Sequence, residues 1–535
     1  MDCEVNLDSI RALDERIGTY ERTVIKLKRA RNLLLNVSKL PPEVLGNIFY
    51  RNVTLEGDFG GLDEGSHNFL LVCHHWFEVA SRTPDLWSFW GNTRKDWARW
   101  SHRSRTAPLD LVLNSDDYKD SHLDTTLCNI LRDRATRDTI RRVHLKARDP
   151  VLLSSTVAQV TANREELRSN SMESFVLWNR GDTPVDVSDF FVHHRFPKLR
   201  RLHLLNCAIS SPSWDHLKSR TSVLTTLFLD LISPSPTPTT SQLLSILSSN
   251  PTLRDVVLIE RAIPDDGGGS SSFRVQLHHL KELGLEGDVR HIIGLLHQLD
   301  CPRNMEDLTL GLHGCGVADI SQTIGPYLRD YLQRHDRPRN GLSLFVTSEY
   351  SGNDTWEITL RAGDAGGIDF STLERKNTFV AISVRLNWLP NGDELERTIL
   401  DLIAYVPREE VVYFRVLDTL VNVEDASAQF PNVRGLALDR IMLCTAFPSP
   451  NPVGDVVTFP FLEHVLLETM YDDDDWSPLV DFLARRASLG NRLDTLMIGG
   501  SHVCSEVAES IRGMVRELVV DRPAPVCPHG TCPEP

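Results

Sequence analysis

The sequence lacks long apolar runs and any dominant stripe of positive charge. No stretch approaches the roughly 18 to 20 apolar residues that a membrane-spanning helix requires, so we expect no membrane span. Asp and Glu outnumber Lys and Arg by 73 to 57, which gives a net charge of −16. Nucleic-acid binding needs clustered cations to neutralise phosphates, and the sequence therefore predicts no nucleic-acid partner.

Motifs that carry covalent chemistry or hold a cofactor are missing as well. The glycine-rich segment Asp265–Ser270 is not followed by the Lys-Ser/Thr pair of a phosphate-binding loop, and no G-x-S-x-G elbow marks a nucleophilic serine. Three pairs of adjacent histidines occur, at His74-His75, His193-His194 and His278-His279. The side chains of adjacent residues point in different directions on a helix and to opposite faces on a strand. The two histidines of a pair therefore do not converge on one metal ion. We expect no catalytic residues, no metal and no cofactor.

The ten cysteines are scattered, apart from Cys527 and Cys532. Such scatter, with an acidic start at Met1–Asn6 that has no apolar leader, is typical of proteins that keep their thiols reduced. We therefore expect a cytoplasmic protein, a nuclear protein, or one found in both places. Residues 526–535 include His529 between the two cysteines but offer no second ligand pair, and they are predicted to be a tail.

Residues 1–37 are predicted to form a helix with a heptad seam. Its apolar residues step alternately by three and four: Ile10, Leu13, Ile17, Tyr20, Val24 and Leu27. This spacing places them on one stripe, while charged residues fill most of the remaining positions. Two interpretations fit the pattern. Residues 10–27 pair with a second copy of the chain in a coiled coil, forming a homodimer, or the stripe packs back on the same chain.

A short helical motif follows in three separated pieces, Leu40–Phe49, Cys73–Trp76 and Pro84–Trp87. In the first piece two prolines stand where a helix begins, because the first helical position needs no N–H and already favours the φ of proline. Glu43 then lies in the first turn, where a carboxylate suits the helix dipole. The apolar residues that follow at i, i+3 and i+4 predict a single apolar stripe.

Together these pieces resemble an F-box, the helical module through which a ligase subunit docks onto a Skp-family adaptor. The resemblance covers residues 38–92 and includes an acidic, glycine-rich insertion at 51–67. Residues 93–135 are predicted to connect this module to the rest through a short helix and a strand, a layout that is similar to a family of fungal F-box proteins. The resemblance implies that ten residues contact the adaptor: Leu40, Pro41, Pro42, Leu45, Ile48, Phe49, Val72, Trp76, Leu86 and Trp87.

From about residue 140 a second pattern recurs, in which apolar residues are separated by two spacers and then by one. Leu199, Leu202 and Leu204 are one copy, and copies return at intervals of roughly 25 to 30 residues, which looks like leucine-rich repeats. Short strands stacked with intervening helices would form an α/β solenoid over residues 136–525. Around 340–388 the pattern fails, and a hairpin with one further strand is predicted. We favour one curved array, with two sub-arrays meeting near 340–380 as the alternative.

The expected fold class is therefore α/β: N-terminal helices and an all-α F-box, followed by an irregular solenoid similar to leucine-rich repeats. The resemblance implies a non-catalytic substrate-receptor subunit of an SCF-type ubiquitin ligase, which acts in ubiquitin-dependent protein degradation. Its F-box would bind the adaptor and through it a cullin, and its repeats would recruit a target protein. The alternative is a protein–protein interaction scaffold built on the same repeats, without degradation.

Overall fold

The chain is a mixed α/β protein that divides into two compact units. Unit 1 comprises the described residues up to Leu224, and unit 2 comprises those from Thr225 onward. The computed structural model describes residues 7–54, 64–91, 102–104, 107–114, 139–161, 171–193, 196–231, 236–266, 274–302, 305–313, 317–334, 342–350, 356–364, 378–386, 392–417, 423–439, 447, 459–468, 476–499, 503 and 505–520.

Unit 1 begins with helices and continues as a parallel sheet with helices between its strands. Its α-helices are α1 (Leu7–Leu33), α2 (Pro42–Thr54), α3 (His74–Arg82), α4 (Pro150–Thr161), α5 (Ser188–His193) and α6 (Ser211–Arg220). Its 3-10 helices are Asn36–Lys39, Glu64–Leu71 and Pro84–Trp87. Its strands are β1 (Phe89–Gly91), β2 (Leu109–Asn114), β3 (Ile140–Ala147), β4 (Ser174–Asn179), β5 (Val185–Asp186) and β6 (Arg201–Ala208).

The sheet of unit 1 has the order β1-β2-β3-β4-β6, with every pair parallel, and β5 pairs with the end of β6. The first strand of this sheet, β1, starts at Phe89 and pairs with β2. Leu111, Val143, Phe175 and Leu202 are neighbours across four strands, and all four are buried. This row is the centre of the unit's core.

A buried ion pair joins the helices of unit 1 to its sheet. The Asp110 carboxylate on β2 is fully buried and accepts two hydrogen bonds from the Arg141 guanidinium on β3, at 3.0 and 2.7 Å. The hydrogen bonds to Asp110 raise the pKa of Arg141, and desolvation opposes them only in part. The Tyr50 side chain on α2 also interacts with Arg141 and raises its pKa further. A charged pair at this position therefore holds α2 against the first strands.

Unit 2 repeats the alternation of strands and helices. Its strands are β7 (Thr226–Leu231), β8 (Asp255–Glu260), β9 (Val275–Gln276), β10 (Glu282–Asp288), β11 (Leu299–Asp300), β12 (Asp307–His313), β13 (Leu342–Tyr350), β14 (Trp356–Asp364), β15 (Thr378–Leu386), β16 (Val411–Leu417), β17 (Gly435–Asp439), β18 (His464–Glu468), β19 (Leu493–Gly499) and β20 (Val515–Val520). Its α-helices are α7 (Thr240–Ser249), α8 (Val289–Leu296), α9 (Val317–Arg334), α10 (Gly392–Ile403), α11 (Val423–Gln429), α12 (Ser477–Ser488) and α13 (Ser505–Arg512).

The main sheet of unit 2 runs β7-β8-β10-β12-β15-β14-β13-β16-β17-β18-β19-β20. Every pairing is parallel except those of β14, which is antiparallel to both β13 and β15. The predicted hairpin is therefore present as β13 and β14, and the predicted further strand as β15. Chain order is inverted here, because β12 pairs with β15 and not with β13, and β13 pairs onward with β16. A separate two-stranded parallel sheet joins β9 and β11.

The apolar positions of the repeating pattern form the core of both units. In every copy from the one that starts at Ile140 to the one that starts at Leu493, all three apolar residues are buried. In the last copy Val515 is buried, whereas Leu518 and Val520 are half-buried. Alternate strand residues point to the same side of a sheet, so the fourth and sixth residues of each copy face the helices. Cys207, which follows Leu204 on β6, is also fully buried.

Helices lie between the strands where the sequence places them. The start of α7 is held by a capping box: Thr239 accepts from the Gln242 N–H, and the Gln242 side chain accepts from the Thr239 N–H. Helix α8 starts after Asp288, which accepts from the Arg290 N–H at 2.8 Å. Within the residues that the structure defines, no helix is both long and apolar enough to cross a membrane.

Candidate functional site

The helical module of residues 36–91 consists of α2, α3 and the three 3-10 helices around them. Helix α2 starts at Pro42, and the Pro41 carbonyl accepts from the Val44 and Leu45 N–H groups at 3.0 and 3.1 Å. It runs four residues into the predicted insertion and ends at Thr54. The 3-10 helix Glu64–Leu71 occupies the end of that insertion, and residues 55–63 lie outside the described part of the chain.

A compact aromatic core holds the module together. The Phe49 ring stacks on Phe69, with ring centroids 4.5 Å apart, and lies 5.0 Å from the Trp76 ring. The Trp87 indole N–H donates to the Ala80 carbonyl at 2.7 Å, so the only polar atom of its ring is satisfied although the residue is buried. Leu45, Val79, Leu86 and Phe89 complete the buried cluster.

Close packing of α2 depends on a glycine at its centre. A Cβ built on Gly46 would lie 3.0 Å from the Thr83 hydroxyl oxygen. That hydroxyl is held in place because it donates to the Val79 carbonyl at 2.9 Å. Glycine therefore lets α2 approach the end of α3 closely, and this approach brings Leu45 and Phe49 into the core.

The structure separates the ten residues predicted to contact an adaptor into two groups. Four of them lie in the core of the module, where a partner cannot reach their side chains: Leu45, Phe49, Leu86 and Trp87. Leu40 and Trp76 are half-buried and pack against that core. Pro41, Pro42, Ile48 and Val72 are exposed. The core residues support the surface and do not belong to it.

Five exposed apolar residues define the surface of the module, and we call them the exposed apolar set. They are Val44, Ile48, Leu71, Val72 and Phe77. Val44 and Ile48 are one helical turn apart on α2, and the other three lie on α3 and the segment just before it, both of which pack on α2. Sequence reasoning missed Val44, Leu71 and Phe77. The i, i+4 spacing of Val44 and Ile48 was the available signal, because it forms a second stripe beside Leu45 and Phe49.

Paired alanine substitutions should distinguish the two stripes. We expect Leu45→Ala to lower the free energy of unfolding of the module by about 2 to 5 kcal/mol, because it removes a fully buried side chain. Val44→Ala should change it by less than about 1 kcal/mol, since Val44 is exposed. Hydrogen exchange of the α2 amides in the full chain measures both effects. Equal protection losses in the two variants would contradict this assignment of the stripes.

A second surface feature of unit 1 is a cleft of about 770 Å³ at the carboxyl ends of β3 and β4. Lys146 and Arg180 lie over the Trp178 ring, at 5.0 and 4.8 Å from its centroid. The loop after β4 is fixed by Asn179, whose amide donates to the Thr183 carbonyl at 2.7 Å. A Cβ at Gly181 would lie 2.5 Å from the Arg148 carbonyl, so this turn requires glycine. Two cations beside an aromatic ring can hold an anionic group of a partner.

Three neighbouring strands of unit 2, β8, β10 and β12, carry acidic residues side by side. Asp255, Glu282 and Asp307 are direct neighbours on β8, β10 and β12. Burial raises the pKa of Glu282, and the carboxylates of Asp255 and Asp307 raise it further. Burial also raises the pKa of Asp307, which Thr309 and Arg361 partly offset. Like charges placed side by side on a sheet destabilise it.

Neutralising the central carboxylate should stabilise unit 2. At neutral pH we expect Glu282→Gln to add roughly 0.5 kcal/mol to the free energy of unfolding, because it removes the repulsion between this carboxylate and its two acidic neighbours. The folded-state pKa of Glu282 is raised, so its destabilising effect is present at neutral pH. That effect fades as the pH falls through the folded value toward the ordinary 4.5. Thermal unfolding across this range should show a smaller gain on acidification for the variant than for the wild type. Glu509→Gln, at an exposed position of α13, is the control, and an equal gain there would contradict this explanation.

Other sequence features do not assemble into a site. No group of three or more His, Cys, Asp or Glu side chains is placed to hold a metal ion within the described ranges. The Asp472–Asp475 run and the segment Cys527–Cys532 lie outside those ranges. The chain matches no model of a known protein family, and no curated protein matches it.

Proposed function

We propose that this protein is the substrate-receptor subunit of an SCF-type ubiquitin ligase. Its helical module would dock onto a Skp-family adaptor, and its strand-and-helix body would recruit a target protein. The exposed apolar set carries the proposal, because it stands on a rigid, fully packed module whose three sequence pieces resemble an F-box. Exposed apolar patches are typical of interaction sites, and Val44 and Ile48 lie one turn apart on the exposed side of α2.

The distribution of burial in the module supports docking. A core of aromatic rings in contact fixes the backbone of α2 and α3, so the surface side chains need little ordering when a partner binds. Val44 and Ile48 lie one helical turn apart on the same face of α2, and this arrangement suits insertion into an apolar groove. Pro41 and Pro42 precede them and are exposed, so they extend the contact at the start of the helix.

The strands and helices from β1 to β20, which we call the body, would bind the target protein. We propose that it is an irregular solenoid similar to leucine-rich repeats, which the regular burial of the pattern positions in parallel strands supports. In unit 1 the cleft beside Trp178 is a candidate contact for an anionic segment of the target. The chain would contribute proximity and orientation, since a target held beside a charged conjugating enzyme reacts as if intramolecularly.

Co-purification tests the assignment. We expect the tagged full chain, co-expressed with a Skp-family adaptor and a cullin, to retain both subunits in one complex through gel filtration. Retention of the adaptor without the cullin would favour the scaffold function. Absence of the adaptor would overturn the proposal.

A further inference from the structure

The seam of helix α1 is exposed along its whole length. Helix α1 is 27 residues long, which corresponds to about 40 Å. The six seam residues are between 46% and 66% exposed, and they are Ile10, Leu13, Ile17, Tyr20, Val24 and Leu27. The structure therefore does not support the interpretation that this stripe packs back on its own chain. A row of exposed apolar side chains at heptad spacing is typical of a surface that binds another helix.

The residue types at the seam specify the geometry of a partner. If Ile10 is placed at heptad position a, then positions a are Ile10, Ile17 and Val24, and positions d are Leu13, Tyr20 and Leu27. β-Branched residues at position a with mostly Leu at position d favour a coiled coil of two parallel helices over one of three or four helices. The seam is the same on every copy of the chain, so a second α1 presents a complementary surface.

The charges beside the seam favour the same arrangement. Arg16 occupies position g and Glu21 occupies the following position e, and both are exposed. In a parallel two-stranded coil, position g of one helix faces the next position e of its partner. Arg16 of each copy would then face Glu21 of the other, which forms two symmetric attractive pairs. An antiparallel pair would not bring these positions together.

We propose that two copies of this protein associate through a parallel coiled coil of their α1 helices. The occupant of the exposed seam is thus a second copy of the chain. The inference does not depend on adaptor binding, because it uses a different element and a different partner.

Sedimentation velocity of the full chain across the micromolar range tests the proposal. We expect a concentration-dependent dimer in the wild type. Ile17→Asp combined with Val24→Asp should weaken dimerisation by at least about 100-fold, because two seam layers lose their apolar contact. Gly18→Asp combined with Ile25→Asp is the matched control. Each change lies one residue further along, and Ile25 is exposed to the same 48% as Val24.

Charge reversal tests the orientation of the helices. Arg16→Glu should weaken the dimer by placing like charges opposite each other, and adding Glu21→Arg should restore it. Circular dichroism shows whether each variant keeps its helix content. A wild type that stays monomeric, or a dimer that survives Ile17→Asp with Val24→Asp, would overturn the proposal. Failure of the charge-reversed double variant to recover would overturn the parallel arrangement.

Discussion

Replacing Val44 and Ile48 with Asp should weaken binding of the Skp-family adaptor by at least about 100-fold and leave the helical module folded. Each side chain is nearly half exposed and becomes buried only when a partner covers it. Burial of a Val or Ile side chain contributes about 1.5 to 3 kcal/mol, and the loss of two such contacts amounts to about two decades of affinity or more. A carboxylate forced into the interface adds a desolvation cost. Titration of purified full chain with adaptor measures the change.

Asn47→Asp combined with Asn52→Asp is the matched control for this prediction. Both asparagines are exposed on α2, and the control adds the same two negative charges to the same helix. We expect it to retain affinity within a few-fold. If both double variants lost binding equally, the effect would be electrostatic or structural, and the docking surface would not include Val44 and Ile48.

Replacing Asp110 with Asn should destabilise unit 1 by about 3 to 5 kcal/mol, because it leaves Arg141 as a largely buried charge without its counterion. The carboxylate has no exposed surface and accepts both guanidinium hydrogen bonds. Since Arg141 also interacts with Tyr50 on α2, we expect the loss to spread into the helical module. Denaturant unfolding followed by hydrogen exchange on α2 and β3 measures both consequences.

Two further variants test the cause. Asp110→Leu combined with Arg141→Met replaces both partners with apolar groups and should recover most of the lost stability, because no unpaired charge remains. Asp494→Asn removes one partner of the exposed pair with Arg516 and should cost less than about 1 kcal/mol. A similar loss in the exposed and buried variants would show that burial of the charge is not the cause.

The sequence predicts the strands of the body well because their signal is local. Apolar residues at alternate positions, such as Leu202 and Leu204, are buried in the structure because alternation places them on one side of a strand. The hairpin of β13 and β14 is also encoded locally, by two apolar runs around a turn. The pairing of β12 with β15 is not, because the choice of neighbour depends on contacts between strands far apart in the sequence.

Which side chains of α2 are buried and which are exposed could not be predicted from the sequence. Residues 44, 45, 48 and 49 form two adjacent apolar stripes on α2, and local spacing does not show which stripe faces inward. That choice is made by Phe69 and Trp76, which pack on Phe49, and by the close approach at Gly46. The sequence therefore identifies the module, whereas its surface requires the tertiary packing.

Hydrogen exchange of the full chain with and without the Skp-family adaptor shows whether the helical module is the docking surface. We expect saturating adaptor to slow exchange in the first turns of α2, around Val44 and Ile48, and in residues 71–78, while exchange in the strands of unit 2 is unchanged. The absence of protection in α2 under saturating adaptor, or protection confined to the body, would contradict the proposal that this module is the docking site.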